Sequence, residues 1–205
     1  MAVLYTTVEK YARAEQIIEK SRFIATICPV ESREEAEAFF AEVRAEFPDA
    51  THNVPAFVLG DRQQLQWGSD DGEPGGTAGT PIAVFLAKEG LTNVAVVVTR
   101  YFGGIKLGTG GLVRAYTSSA RLAVAAAGKR EVRQEVTLAA DIDYSLLGKL
   151  KNYELSMPFR IVGAEYTDVV RVTLCFAPED ESSILAMLGD MCSGSVKIVT
   201  RLTNY

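Results

Sequence analysis

The chain has 205 residues, 48% of them hydrophobic and 23% charged, with 21 Lys and Arg against 26 Asp and Glu. That apolar fraction excludes a disordered chain, and no apolar run nears the ~18 residues a membrane-spanning helix needs. A net charge of −5 argues against a generic basic nucleic-acid binder.

The N-terminal two thirds read as one unit. A long strand is expected over residues 15–29, with weak alternation. Ser32 and Glu35 form a capping box for a helix whose stripe is Ala36, Phe39, Phe40, Val43 and Phe47, ended by Pro48. Residues 52–59 predict a strand, and Thr80 and Pro81 open a helix that Gly90 stops. Residues 94–100 form an apolar run ending in charge, the pattern of a buried strand. A helix is expected over residues 112–127, with Leu112, Tyr116, Ala120, Ala123 and Ala127 facing inward and Arg114, Ser118 and Arg121 outward.

The polar, basic segment 128–133 reads as a domain boundary, giving domains 1–130 and 131–205. Beyond it, Val136, Leu138, Ala140, Ile142 and Tyr144 alternate as in a half-buried strand. Ser145 is placed to cap a short helix carrying Leu146, Leu147, Leu150 and Tyr153. Strands follow at 159–166 and 169–176, then a helix with Ile184, Leu185, Leu188, Met191 and Cys192 that stops at Gly194, and a last strand with Val196, Ile198 and Leu202. The order βαββαβ predicts a small antiparallel sheet with two helices on one face, and an α+β class overall.

Charge and glycine are unevenly spread. Residues 90–130 contain no Asp or Glu but carry Arg100, Lys106, Arg114, Arg121, Lys129 and Arg130, and 13 of the 17 glycines lie between Gly60 and Gly128. The start of the chain lacks the basic and apolar regions of a signal peptide, and the three cysteines have no CxxC spacing. A soluble cytoplasmic protein without a disulfide framework or cysteine-based zinc site is expected.

Two segments carry candidate chemistry. In residues 67–81, WGSDDGEPGGTAGTP, the carboxylates of Asp70, Asp71 and Glu73 precede a glycine run that opens a helix. The cluster reads as a decorated loop, a divalent-cation site or an anchor for nearby arginines; its spacing misses the EF-hand pattern. In residues 94–116, VAVVVTRYFGGIKLGTGGLVRAY, a buried strand delivers Arg100 and Tyr101 to a loop with Gly103, Gly104, Lys106, Gly108, Gly110 and Gly111. A helix start there presents unpaired N–H groups to an anion, with Lys106 and Arg114 adding charge. The alternative is that the glycines only permit a tight strand–helix junction. Thr109 stands where a Walker-A lysine belongs, and no GxGxxG occurs. His52, the one histidine, is read as structural, without the partners of a catalytic triad or a histidine metal site.

The chain resembles the YigZ/IMPACT family through SRFI at 21–24, Ala50-x-His52-x-x-x-Ala56, DDGEPxGTAGxP at 70–81 and RYFGGIKLGTGGL at 100–112. Val54 departs from relatives that often carry a cysteine there. The resemblance implies an N-terminal domain like the second domain of a small-subunit ribosomal protein and the fourth domain of elongation factor G. It also implies a ferredoxin-like C-terminal domain. Eukaryotic relatives regulate translation initiation by competing for an activator of a stress kinase. For bacterial members, nucleic-acid or ribosome association is inferred from the fold. A proline-dipeptidase label in the family finds no support here, since one histidine and one acidic cluster cannot build a two-metal site.

The leading expectation is a non-enzymatic protein binding RNA, the ribosome or a translation-related protein, with no cofactor, metal ligand or membrane partner assigned. Arg100, Lys106, Arg114 and Arg121 would contact phosphates, and Asp70, Asp71 and Glu73 would position them, the two loops converging on one surface. Alternatives are a protein-binding regulator without RNA contact and a divalent-cation-dependent phosphoryl or phosphoester enzyme.

Overall fold

The structure, a computed structural model, describes residues 3–204. They form two compact units, residues 4–132 and, with Val3, the chain from Arg133 onward. The first runs β1 (Val3–Val8), β2 (Ala12–Ile18), β3 (Ser21–Pro29), α1 (Arg33–Glu46), β4 (His52–Leu59), β5 (Leu65–Gly68), α2 (Gly79–Lys88), β6 (Val94–Tyr101), α3 (Gly108–Ala127) and β7 (Lys129–Arg133). Five strands make an antiparallel sheet in the order β2-β3-β6-β4-β5, and β1 pairs with β7.

Central β6 is buried from Val94 to Arg100 because both faces are covered. Ala95 and Val97 pack with Phe39 and Val43 of α1. Val94, Val96 and Val98 pack with Ile82 and Leu86 of α2 and Tyr116 and Ala120 of α3. A strand buried on both sides shows no alternation, which is why this one reads as a continuous apolar run.

Two expectations for this unit change, and strands β1, β5 and β7 lie outside the expected elements. The long strand is a hairpin, since Glu19 and Lys20 both take positive φ (45° and 62°) and Ile18 pairs with Ser21. A two-residue turn of that kind usually carries Asn or Gly, so nothing in the residue types marks it. Helix α3 begins at Gly108, four residues before its first buried leucine, and absorbs Gly110 and Gly111. β5, short and exposed, has no sequence signal of its own. The α1 cap forms as expected, Ser32 Oγ accepting from Glu35 N at 3.1 Å, but Glu35 Oε2 reaches back to Glu31 N at 2.8 Å.

The second unit contains β8 (Glu135–Ile142), α4 (Leu147–Glu154), β9 (Phe159–Tyr166), β10 (Val170–Phe176), α5 (Glu181–Met191) and β11 (Lys197–Asn204). Its antiparallel sheet has the order β11-β8-β10-β9. Leu150 of α4 and Ile184, Met187 and Leu188 of α5 cover the face formed by Val136, Leu138, Ala140, Val172 and Leu174. This is the ferredoxin-like arrangement. Tyr144 is not part of the first strand. It opens a 3₁₀ turn, Tyr144–Leu146, and donates its hydroxyl to the Thr167 carbonyl at 2.6 Å. Ser145 lies inside that turn and caps nothing. Gly194, at φ +83°, closes α5 by donating its N–H to the Gly189 carbonyl at 2.8 Å. No helix among the described residues is long and apolar enough to cross a membrane.

Candidate functional site

The loop between β5 and α2 is held by its own acids. Asp70 accepts from Gly76 N (2.7 Å), Ala78 N (2.9 Å) and Gly79 N (3.0 Å), which folds the loop and starts α2. Desolvation by burial pushes its pKa up, but the three backbone donors outweigh it and hold the carboxyl below its ordinary range. Asp71, at φ +47°, accepts from Asn53 N at 2.6 Å and from Arg44 Nη2 at 2.7 Å. Gly68 and Gly79 lie back to back, and a Cβ on either would strike the other's backbone or that of Ser69. The three carboxylates therefore serve three different partners. Among the described residues no group of three His, Cys, Asp or Glu is arranged to hold a metal ion.

Glu73 alone turns inward, and its side chain is 4% exposed. Its Oε1 accepts from Arg100 Nη1 at 2.5 Å and from the Tyr116 hydroxyl at 2.7 Å. Burial, and then the neighbouring Glu73 carboxylate, push the Tyr116 phenol far above its usual pKa. Arg100, from the end of β6, is expected at the surface as a phosphate contact; instead it is 4% exposed. Its guanidinium lies 5.3 Å from the Phe23 ring and 5.4 Å from the Phe102 ring, and Nη2 donates to Ser21 Oγ at 3.2 Å. Ser21 Oγ also accepts from Gly103 N at 3.1 Å. A Cβ at Gly103 would overlap the Lys20–Ser21 backbone, so this glycine locks the loop onto β3 and leaves no approach for a partner.

Above the pair opens a cavity of about 430 Å³. His52, Glu73 and Arg100 line it with Phe102, Lys106 and Gly108. His52 Nδ1 lies 2.8 Å from the Asp71 carbonyl, so this nitrogen donates, and Nε2 lies 3.7 Å from Glu73 Oε1. On the rim, Lys106 is exposed and α3 begins without a side-chain cap. Gly104 and Gly108 have φ of +85° and +70°, which Gly adopts freely.

The remaining expected residues divide. Gly110 and Arg114 are exposed on the first turns of α3, and Gly111 packs on Leu107. Tyr101 donates its hydroxyl to Asp49 at 2.9 Å under the Arg22 guanidinium and does not line the cavity. Arg121 is also apart from it: its guanidinium pairs with Glu89 at 3.3 Å and lies 4.8 Å from the Phe85 ring. Thr51 joins the site, as do Ser21 and Phe102, which the sequence marks only as parts of the family motifs and not as site residues. Phe102 N donates to Thr51 Oγ1 at 3.0 Å, and Thr51 N to the Arg100 carbonyl at 2.9 Å. Period-two spacing from Val96 and Val98 puts Arg100 on the α2/α3 side of the sheet, the available sign of its burial.

Residues 19–124, more than half of the chain, match the Impact N-terminal domain. The chain belongs to the IMPACT family. Residues 141–195 match a domain of unknown function. The chain is 35% identical to IMPACT family member YvyE of Bacillus subtilis over 194 residues, covering 95% of this chain and 89% of the relative. It is 35% identical to family member YigZ of Escherichia coli over 185 residues, covering 89% and 90%. A crystal structure described as that of a hypothetical protein superposes with a TM-score of 0.63, at 32% identity and over 96% of each chain. The acidic loop and the β6–α3 loop of this IMPACT-family chain both lie inside the span that matches the Impact domain.

Proposed function

We propose that this IMPACT-family protein is a non-enzymatic binding protein that takes up a phosphate-bearing RNA segment of the translation apparatus on its N-terminal unit. The observation that carries this reading is the open start of α3 beside Lys106. Uncapped N–H groups, the positive end of a 20-residue helix and an exposed ammonium meet on the rim of one cavity. Arg114, exposed one turn farther on, extends the positive surface, and the half-exposed Phe102 ring offers a face for a base. A binding role is favoured over catalysis because Asp70 and Asp71 hold loop amides and Arg44, while Glu73 neutralises Arg100. The translational setting is the one the family resemblance implies.

Fluorescence anisotropy with a labelled structured RNA, repeated across a NaCl series, tests the reading. Binding should weaken steeply with salt, and Arg114→Ala should lower the slope of log K against log salt by roughly 0.7–0.9. Absence of binding at low salt rejects it.

A further inference from the structure

Glu73 is engaged through one oxygen only. Oε1 takes the bonds from Arg100 and Tyr116, whereas Oε2 has no hydrogen-bond partner among the described residues although the side chain is 4% exposed. Arg100 Nε is the one fully enclosed side-chain polar atom without a partner among those residues, so Oε2 keeps access to the cavity that Glu73 lines. An acceptor that opens into a cavity is free to take its hydrogen bond from water or, where one binds, from a ligand N–H.

A second acceptor stands beside the first. His52 Nδ1 donates to the Asp71 carbonyl, which leaves Nε2, the acceptor nitrogen of that imidazole tautomer, 3.7 Å from Glu73 Oε1. The cavity lining thus offers two neighbouring acceptors, Oε2 and Nε2, together with the Phe102 ring and the apolar side chains of Pro74 and Leu112. Lys106 and Gly108, which also line the cavity, suit an anion. Its volume of about 430 Å³ falls in the range of small-ligand sites.

Among the four RNA bases, two neighbouring donors on the pairing edge occur only in guanine, as N1–H and the 2-amino group. Adenine and cytosine set one amino group beside an acceptor, and uracil sets one imino group between two. We infer that the cavity takes a single unstacked guanine nucleotide, its pairing edge on Glu73 and His52, its ring against Phe102 and its phosphate at Lys106 and the first turn of α3. The inference rests on the RNA-binding reading of the same site and adds the base it selects.

Calorimetric titration of the full chain with GMP, IMP, AMP, CMP, UMP and inorganic phosphate is the test. GMP should bind about tenfold or more tightly than AMP, CMP or UMP, the discrimination expected of a good two-bond base contact. IMP, which lacks the 2-amino group, should fall between. His52→Ala, which leaves the Glu73–Arg100 pair in place, should bring GMP down to the level of AMP while phosphate binding is unchanged. Equal affinity for the four nucleotides, or an unaltered GMP preference in His52→Ala, overturns the guanine assignment and leaves phosphate recognition standing. Failure of every nucleotide to bind while the RNA titration succeeds also overturns it; failure of both removes the underlying RNA reading.

Discussion

The Glu73 carboxylate and the Arg100 guanidinium meet at 2.5 Å with side chains 4% and 5% exposed, joining the β5–α2 loop to the end of β6. Removing one partner strands a charge in the interior, a change that costs about 3–5 kcal/mol, whereas replacing both by apolar groups is often close to neutral. Arg100→Met should therefore lower the urea midpoint strongly, and Glu73→Leu combined with Arg100→Met should recover much of the loss. Double-variant stability equal to the sum of the two single losses would show the pair to be uncoupled.

Gly103 and Gly110, seven residues apart in the β6–α3 segment, have opposite roles. Gly103→Ala drives a methyl into the Lys20–Ser21 backbone and should destabilise the protein by more than 1 kcal/mol or so. Gly110 sits in the first turn of α3 with only Arg114 Nη1 near, 3.6 Å from an added Cβ. Gly110→Ala should stabilise the helix by about 0.5–1 kcal/mol, yet weaken RNA binding if a phosphate lies against the bare backbone. Thermal melts and the RNA titration on the same preparations separate the two effects, and unchanged affinity would argue that Gly110 meets no ligand.

Much of the architecture was legible because burial leaves a period. β4 and β9 span the residues expected for them, and the βαββαβ order of the second unit follows from its apolar stripes. What was not legible depends on backbone or long-range contacts. The Glu19–Lys20 turn is made by residues that seldom take positive φ, and β5 exists through its pairing with β4. In the site, charge read as exposure put Arg100 and Arg121 on the phosphate-binding surface. Glu73 and Glu89, distant in sequence, supply their counter-charges.

That pairing separates Arg121 from Arg114 experimentally. Arg121 is already bound to Glu89 and stacked on Phe85, while Arg114 projects from α3. Arg121→Ala should leave the salt dependence of RNA binding as in the parent, in contrast to the shallower slope of Arg114→Ala. Equal changes in both would extend the binding surface along the whole of α3.

The cysteines should be poor nucleophiles in the folded protein. Burial, reinforced by Glu42 and Glu35, pushes the Cys28 thiol up to about 12, so at pH 8 only about one molecule in 10⁴ carries the thiolate. Burial also raises Cys175, helped by Glu135, and Cys192, helped by Asp143. Ellman's reagent should label the native chain slowly and all three thiols promptly in urea. Rapid native labelling of Cys28 would mean that the sheet face under α1 opens readily.

Asp70 gives the fold a defined response to acid. Desolvation works against its ionised form, but donors from Gly76, Gly79 and Ala78 prevail, and its folded pKa lies below the unfolded value. A carboxyl shifted in that direction adds stability that is complete above its unfolded pKa of about 3.9 and disappears as pH falls through the lower folded value. Asp70→Asn keeps one acceptor for three donors, and loss of a helix-start cap costs about 1 kcal/mol. The parent should exceed Asp70→Asn in urea midpoint at pH 7 and pH 5, with the gap closing once the pH drops below about 4. A gap that persists unchanged at pH 2.5 would mean that the carboxylate's charge contributes nothing and that shape alone holds the loop.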